Sequence, residues 1–225
     1  MDNENREIKE IPEYDFGVIE IIKAGWERID GVKLHFILGF LVYVAASIVV
    51  QLILGSIFPQ GTTENPNIPN QLILGVLSIP VLVPLLVGLM MMGIHLSRGE
   101  EISYKSVFNY YHMTGILSLG AILVYIMTFI GLLLLILPGI YLSIAYMFAL
   151  PLIADKQMGV WEAMEYSRKT VTKHWFKVFG LMFLLSLLVL VAIIPVGLGL
   201  IWAIPLMFVT IYALLYPVMF DGEEG

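Results

Sequence analysis

The sequence predicts an all-α, polytopic membrane protein that crosses the bilayer with six helices. Of its 225 residues, 59% are hydrophobic and 13% are charged, and the mean hydropathy is +0.90, which is too apolar for a soluble domain. The apolar residues form runs of roughly 17 to 25 residues, each long enough to cross a hydrocarbon core of about 30 Å. Backbone groups in lipid must pair within their own segment, so these runs are expected to be helices and not open strands.

Residues 1–15 predict a flexible, acidic tail, and residues 16–225 predict a single membrane domain. The tail has no cleavable apolar core, so the first apolar helix is expected to serve as the insertion signal. The chain has no cysteine, which excludes disulfides and thiolate chemistry. Its net charge of −6 argues against nucleic acid as a partner, because phosphate binding needs an excess of Lys and Arg.

Six apolar runs give the predicted spans, at about residues 34–58, 71–96, 114–137, 138–154, 175–194 and 198–220. No polar stop separates the third span from the fourth, so two interpretations stay open: a tight apolar hairpin, or one long helix bent at Pro138-Gly139. We favour the hairpin, because it places the charged groups on both sides in the same compartment. Prolines are expected to bend the helices. The candidate hinges are Pro80, Pro84, Pro138, Pro151, Pro195, Pro205 and Pro217.

Three amphipathic segments are predicted to lie on the membrane surface, at about residues 17–30, 103–113 and 159–172. In the first, apolar residues recur at helical spacing while charged residues take the other face. Ser103 can cap the second, whose tyrosines suit the headgroup layer. In the third, Glu165 and Lys169 form a favourable i,i+4 pair.

The cationic residues predict the orientation of the chain. With the amino terminus in the cytoplasm, all 12 Lys and Arg residues fall in cytoplasmic segments, as the positive-inside rule requires. Both termini are therefore expected in the cytoplasm.

The chain also carries a candidate internal repeat. The stretches that begin at Phe16 and Met158 share Gly-Val-x-Glu, a helix of the same length, and then Lys, His, an aromatic residue and Gly. Residues 151–155 likewise match residues 217–221, and a unit from about Ile102 is a weaker copy. Three units of surface helix plus helical hairpin would form a parallel repeat. The alternative is that any two junctions between a surface helix and a span look alike.

A family resemblance rests on residues 137–180. The matching pattern is Pro138-Gly139, Pro151, Gly159-Val160, Glu162-Ala163, Ser167 and Trp175. It resembles the signature of the YciC-like group of prokaryotic multi-spanning membrane proteins, which is similar to the membrane domain attached to some glycerophosphodiester phosphodiesterases. The match covers about a fifth of the chain well. It implies the fold and a prokaryotic cell (inner) membrane, but no activity, because no catalytic residue of the phosphodiesterases can be carried over.

Polar residues near the predicted cytoplasmic ends of the spans are the candidate sites. Five cations could contact anionic headgroups, at about 1 kcal/mol each. They are Lys156, Arg168, Lys169, Lys173 and Lys177. A possible interfacial polar cluster comprises His35, His95, His112, His174, Asp155 and Asp221.

Histidine and carboxylate at one depth could bind a divalent metal. However, the sequence contains no H-x-x-x-H or H-E-x-x-H pair, and aspartates at such positions could equally cap or stop helices. We therefore predict no catalytic residue, no metal and no cofactor.

Apart from Lys177 at the start of the fifth, no Asp, Glu, Lys or Arg lies inside a predicted span, which disfavours ion-coupled transport. The sequence favours a non-catalytic scaffold or accessory component of a membrane assembly, which contacts lipid headgroups and either partner proteins or copies of itself. The alternative is a transporter or channel for a small or lipidic molecule. A polar cavity that reaches the midplane would favour transport, and a packed apolar interior would favour the scaffold.

Overall fold

The computed structural model describes residues 12–221, and most of the predicted acidic tail lies outside this range. Within the range, the regular structure is helical apart from one isolated β-bridge, between Gly61 and Pro66. The α-helices are α1 Val18–Arg28, α2 Lys33–Ile57, α3 Ile68–Ser97, α4 Thr114–Leu134, α5 Ile136–Ala145, α6 Ala149–Lys156, α7 Val160–Lys173, α8 Trp175–Ile193, α9 Leu200–Phe208 and α10 Tyr216–Phe220. Two 3-10 turns, Tyr104–Phe108 and Tyr111–Met113, precede α4, and a π-helical segment, Val209–Leu215, joins α9 to α10.

Six helical stretches are long and apolar enough to cross a membrane. The prediction of an all-α, polytopic membrane protein is therefore confirmed. The stretches are Lys33–Ile57, Ile68–Ser97, Tyr104–Leu134, Ile136–Lys156, Trp175–Ile193 and Leu200–Phe220. The fourth combines α5 and α6, and the sixth combines α9, the π-helical segment and α10.

The third and fourth spans form a tight antiparallel hairpin and not one bent helix. Gly131 of α4 lies against Gly139 of α5, and Gly120 lies against Leu150 and Ile153 of α6. The turn is the single extended residue Leu135, and not the predicted Pro138-Gly139 pair. Pro138 instead falls in the first turn of α5, where its missing N–H would have no helical partner in any case.

The segment predicted as a surface helix at 103–113 forms two 3-10 turns instead of an α-helix. Ser103 caps it as expected, by accepting a hydrogen bond from the Lys105 backbone N–H at 3.3 Å. The segment is short and rich in aromatic residues, which are modest helix formers. The backbone of Val107 is also held directly against Gly88 of α3, so packing determines its path.

The candidate proline hinges occupy three kinds of position. Pro80, Pro84 and Pro205 lie inside helices. Pro138, Pro151 and Pro217 lie in the first turns of α5, α6 and α10. Pro195 lies in the turn between α8 and α9, where the next residue, Val196, has a φ of 56°.

The helices form three hairpins: α2 with α3, α4 with α5 and α6, and α8 with α9, which continues through the π-helical segment into α10. Each surface segment packs on the hairpin that precedes it along the chain. The 3-10 segment lies on α2 and α3, and α7 lies on α4, α5 and α6. The pattern closes on itself, because α1 packs on α8, α9 and the π-helical segment of the last hairpin. We call this arrangement the cyclic packing.

The first helix of each hairpin also contacts the hairpin that precedes it in this cycle. It contacts the closing helix of the preceding hairpin, so that α4 meets α3, α8 meets α5, and α2 meets α9. This is the contact pattern that a parallel repeat of three units would produce, and the candidate repeat remains a prediction of the sequence.

The two ends of the bundle differ in packing. The charged end carries Arg98, Asp155 and Asp221, and the far end carries the loop at 58–67 and the turns at Leu135 and at 194–199. Towards the charged end, α3 is buried almost continuously from Val83 to Ile94, and α6 and the π-helical segment are buried beside it. Towards the far end α3 is largely exposed, with Leu72 at 66%. The hairpins therefore share a solid core near the charged end and separate from one another near the far end.

Candidate functional site

The charged end is closed by an ion network of four side chains, which we call the ion cluster: Arg98, Asp155, Lys156 and Asp221. Arg98 follows the last turn of α3 and donates to both carboxylate oxygens of Asp155, at 2.6 and 2.8 Å. Its second nitrogen also lies 3.4 Å from Asp221, which caps the end of α10. Lys156 binds Asp221 and lies 3.7 Å from Asp155. The cluster thus joins the carboxyl-terminal ends of α3, α6 and α10, which are the last helices of the three hairpins.

Burial makes Asp155 the centre of the ion cluster. Its side chain is 4% exposed, and the hydroxyl of Tyr216 donates to it at 2.8 Å. Hydrogen bonds to Asp155 raise the pKa of Arg98, so the guanidinium stays charged. A charge buried to this degree is stable only when it is paired and hydrogen-bonded. Two cations and two carboxylates balance, so the network is electrically neutral and has no carboxylate without a cationic partner.

An aromatic layer lies directly behind the ion cluster. The ring of Phe148, at the break between α5 and α6, contacts Tyr212, Tyr216 and Phe220, with ring centres 5.3 to 6.2 Å apart. Ser167 of α7 reinforces the break, since its hydroxyl donates to the Ala145 carbonyl at 2.7 Å and accepts from the Phe148 N–H. This half of the bundle is a packed plug of apolar and aromatic side chains.

The four histidines do not join the two aspartates of the proposed interfacial cluster. His95 lies 3.4 Å from the Tyr110 hydroxyl and 3.7 Å from Glu100. His112 contacts the Asn109 carbonyl through Nδ1 at 2.7 Å. The rings of His174 and Tyr14 meet edge to face, and Nδ1 of His35 is buried without a partner. Across residues 12–221, no three His, Asp or Glu side chains converge in a way that could hold a metal ion.

The five candidate headgroup cations each have a protein contact. Lys156 belongs to the ion cluster. Arg168 makes a two-pronged hydrogen bond to Glu165, which Lys169 also approaches at 3.4 Å. Lys173 donates to the backbone carbonyl of Pro12, and Lys177 binds Asp15. Anionic headgroups would therefore compete with carboxylates of the protein for most of these cations.

The first described residues form a strap across the junction of α7 and α8. The hydroxyl of Tyr14 donates to the Thr170 carbonyl at 2.9 Å, and its ring is buried against His174. The hydrogen bond from Lys177 lowers the pKa of Asp15 below its ordinary value of 3.8. A carboxyl with a depressed pKa adds stability above its ordinary pKa and loses it as the pH falls through the lowered value. The strap is therefore expected to loosen only in acid.

We predict that Lys177→Met raises the pKa of Asp15 towards 3.8. The physical reason is that the variant removes the main hydrogen bond and charge that favour the carboxylate. The measurement is a carbon-detected NMR titration of selectively labelled aspartate in nanodiscs, with Lys169→Met as the control. An unchanged titration of Asp15 in Lys177→Met would show that the contact is not maintained.

Sequence reasoning placed Asp155 and Asp221 at one depth but missed Arg98 and Tyr216 as their partners. One signal could have found Arg98. It lies at the end of the second span as Asp155 lies at the end of the fourth and Asp221 at the end of the sixth, so the three residues occupy corresponding positions in the three hairpins. Their mutual contact follows from the meeting of the three closing helices, which no single segment reveals.

A second feature is a groove that opens sideways between α2, α3 and α4 on the far half of the bundle. It encloses about 560 Å³, within the range of about 300 to 1,000 Å³ that is usual for small-molecule sites. Its walls are apolar apart from four residues, Tyr43, Gln71, Ser78 and Tyr125. On α3 the lining of the groove runs from Gln71 to Leu86, and it ends where this helix has entered the packed plug.

No protein-family model, no curated protein and no solved structure matches the chain. The resemblance to the YciC-like group stays a prediction from the sequence.

Proposed function

We propose that this chain is a non-catalytic component of a membrane assembly and that it binds a partner protein through the outward side of α2. The observation that carries the proposal is the exposure of this helix. Only 6% of its most apolar stretch is buried, the lowest share among the six spans of the described chain. Because so few of its residues are buried, the outward side of α2 is available for contacts with another protein.

The outward side of α2 also carries polar groups at membrane depth. Val44, Ser47, Ile48, Gln51 and Leu52 share one face of the helix, and Gln51 is exposed there. A carboxamide that faces hydrocarbon without a partner is costly. Glutamine and serine side chains join transmembrane helices by hydrogen bonds. A transmembrane helix of a partner protein that offers such a group fits this face.

We further propose that the charged end faces the cytoplasm of a prokaryotic cell and that both termini lie there. The support is the position of the Lys and Arg residues, which border the spans at this end and are absent from the far-end loop at 58–67. Contact with anionic headgroups is a secondary role, because most of the candidate cations already have carboxylate partners.

The absence of cysteine from the sequence permits a clean test of the proposal. Ile48→Cys places a single thiol on the outward face of α2, and Leu190→Cys places one on α8 at similar exposure, 54% against 61%. We expect a photo-crosslinker attached to the thiol, which needs no cysteine on the partner, to give a discrete heavier product in native membranes from Ile48→Cys and none from Leu190→Cys. The product is expected to fall by about fivefold when Gln51→Leu is added, since an interhelical hydrogen bond contributes about 1 kcal/mol.

Mass spectrometry of the crosslinked product, extracted in polymer nanodiscs, identifies the partner. A second protein at fixed stoichiometry supports an assembly component, and a second copy of this chain restricts the assembly to self-association. Equal crosslinking at both positions, or none at Ile48, would overturn the proposal.

The groove favours a second candidate function, which is the binding or movement of a lipidic molecule. A groove that opens to the bilayer and stops at a packed plug admits a molecule from the membrane and not from water. This geometry does not resemble an aqueous channel, because the plug and the ion cluster close the charged end.

A further inference from the structure

We propose that the groove between α2, α3 and α4 binds an uncharged, membrane-dissolved molecule with a long apolar chain and one hydrogen-bonding group. The occupant enters sideways from the bilayer. Its polar group reaches the hydroxyls of Tyr43 and Tyr125. This inference is independent of the proposed assembly, because Gln51 and Ile48 do not line the groove.

Three of the polar side chains of the groove lie deep in the membrane-spanning helices. Tyr43, Ser78 and Tyr125 each lie well inside α2, α3 and α4, far from both helix ends. With a rise of 1.5 Å per residue, each is roughly 15 Å from the nearer end of its helix. They therefore face the groove near the middle of the hydrocarbon region and not at the headgroup layer.

Among these groups, the hydroxyl of Tyr125 has unmet hydrogen-bonding capacity. The hydroxyl of Ser78 already donates a hydrogen bond to the Gly75 carbonyl, at 2.7 Å. Tyr125 is 59% exposed and its hydroxyl has no hydrogen-bond partner among residues 12–221. Tyr43 faces the same groove from α2, and the Ser47 hydroxyl donates to its backbone carbonyl at 2.8 Å. A phenol that faces hydrocarbon without a partner is unfavourable, and a polar group on the occupant would satisfy it.

The lining of the groove carries no charged side chain. No Asp, Glu, Lys, Arg or His contributes to the groove. A phosphate or carboxylate at this depth would have no counter-ion, and a buried charge without one is strongly disfavoured. The chemistry therefore selects an alcohol, ketone or quinone-like group on an apolar chain, and excludes the charged headgroup of a phospholipid from the polar end of the site.

The test uses photolabelling with two matched probes, a diazirine-bearing hexadecanol and the corresponding diazirine-bearing hexadecane, in nanodiscs. We expect the alcohol to label the lining of the groove about fivefold more than the hydrocarbon, the effect of one neutral hydrogen bond. The double variant Tyr43→Phe/Tyr125→Phe is expected to remove this preference and to leave labelling by the hydrocarbon unchanged. Loss of both hydroxyls leaves the rings, and hence the walls of the groove, in place.

A blocking variant tests occupancy without removing a polar group. A Cβ atom added at Gly75 meets nothing within 4 Å, and this residue lines the open groove. Gly75→Leu is therefore expected to leave the protein folded and to reduce labelling of the groove by both probes, because its side chain occupies part of the groove. The control is Gly115→Leu, which also meets open space but lies outside the groove.

Two outcomes would overturn the inference. One is equal labelling by alcohol and hydrocarbon, which would reduce the groove to an ordinary lipid-facing surface. The other is an alcohol preference that survives in Tyr43→Phe/Tyr125→Phe. Neither outcome affects the crosslinking result at Ile48, so failure of this inference and failure of the proposed assembly are distinguishable.

Discussion

Arg98→Met is expected to lower the free energy of unfolding by about 3 kcal/mol, because it leaves a buried carboxylate without its main partner. Asp155 is 4% exposed and accepts two hydrogen bonds from Arg98. Neither Tyr216 nor Lys156 can replace them, since one is neutral and the other is directed mainly at Asp221. The measurement is the thermal midpoint, together with steric trapping in nanodiscs for the free energy.

Arg168→Met is the matched control for this prediction. It removes the same kind of two-pronged arginine pair, but Glu165 is 32% exposed, and exposed pairs contribute only about 0.2 to 1 kcal/mol. The double variant Arg98→Met/Asp155→Leu is expected to recover much of the lost stability, because it removes the uncompensated charge. Equal losses in Arg98→Met and Arg168→Met would show that the ion cluster does not hold the closing helices together.

Gly88→Ala is expected to destabilise the protein by about 2 kcal/mol, through overpacking against the 3-10 segment. A methyl group on Gly88 would overlap the backbone of Val107, which is fully buried. Backbone cannot rotate away as a side chain can, so the segment has to separate from α3. Hydrogen exchange measured by mass spectrometry is expected to increase at residues 104–108 in this variant.

Gly75→Ala serves as the control in the same helix. The added methyl meets nothing within 4 Å, so the variant is expected to keep or gain stability, by up to about 1 kcal/mol from helix propensity. If Gly88→Ala were as stable as Gly75→Ala, the close contact between α3 and the 3-10 segment would not be a constraint on the fold.

Features that depend on composition within one segment could be predicted from the sequence. The six spans were predicted because each is a single long apolar run, and α1 and α7 because their apolar residues recur at helical spacing. Their ends differ from the predictions by a few residues, as at α1, which runs from Val18 to Arg28 and not over 17–30.

Features that depend on contacts between distant segments could not be predicted in this way. The 3-10 form of residues 104–113 follows from the approach of Val107 to Gly88, which overrides the local amphipathic pattern. The ion cluster needs the ends of α3, α6 and α10 to converge. The groove exists because the hairpins separate near the far end. The sequence could not predict it, because apolar residues that pack on another helix and apolar residues that face lipid are of the same types.

The cyclic packing has a consequence for biosynthesis. The ribosome delivers α1 and α2 first, but their partners α8, α9 and the π-helical segment are made last. The strap shows how far this closure reaches, since Tyr14 bonds to Thr170 across 156 residues of chain. Contacts of such long separation form late, because loop closure must precede them. The first hairpin is therefore inserted before the helices that cover one of its sides have been made. Substitutions that disrupt the third hairpin are expected to expose the amino-terminal segment to proteolysis during assembly.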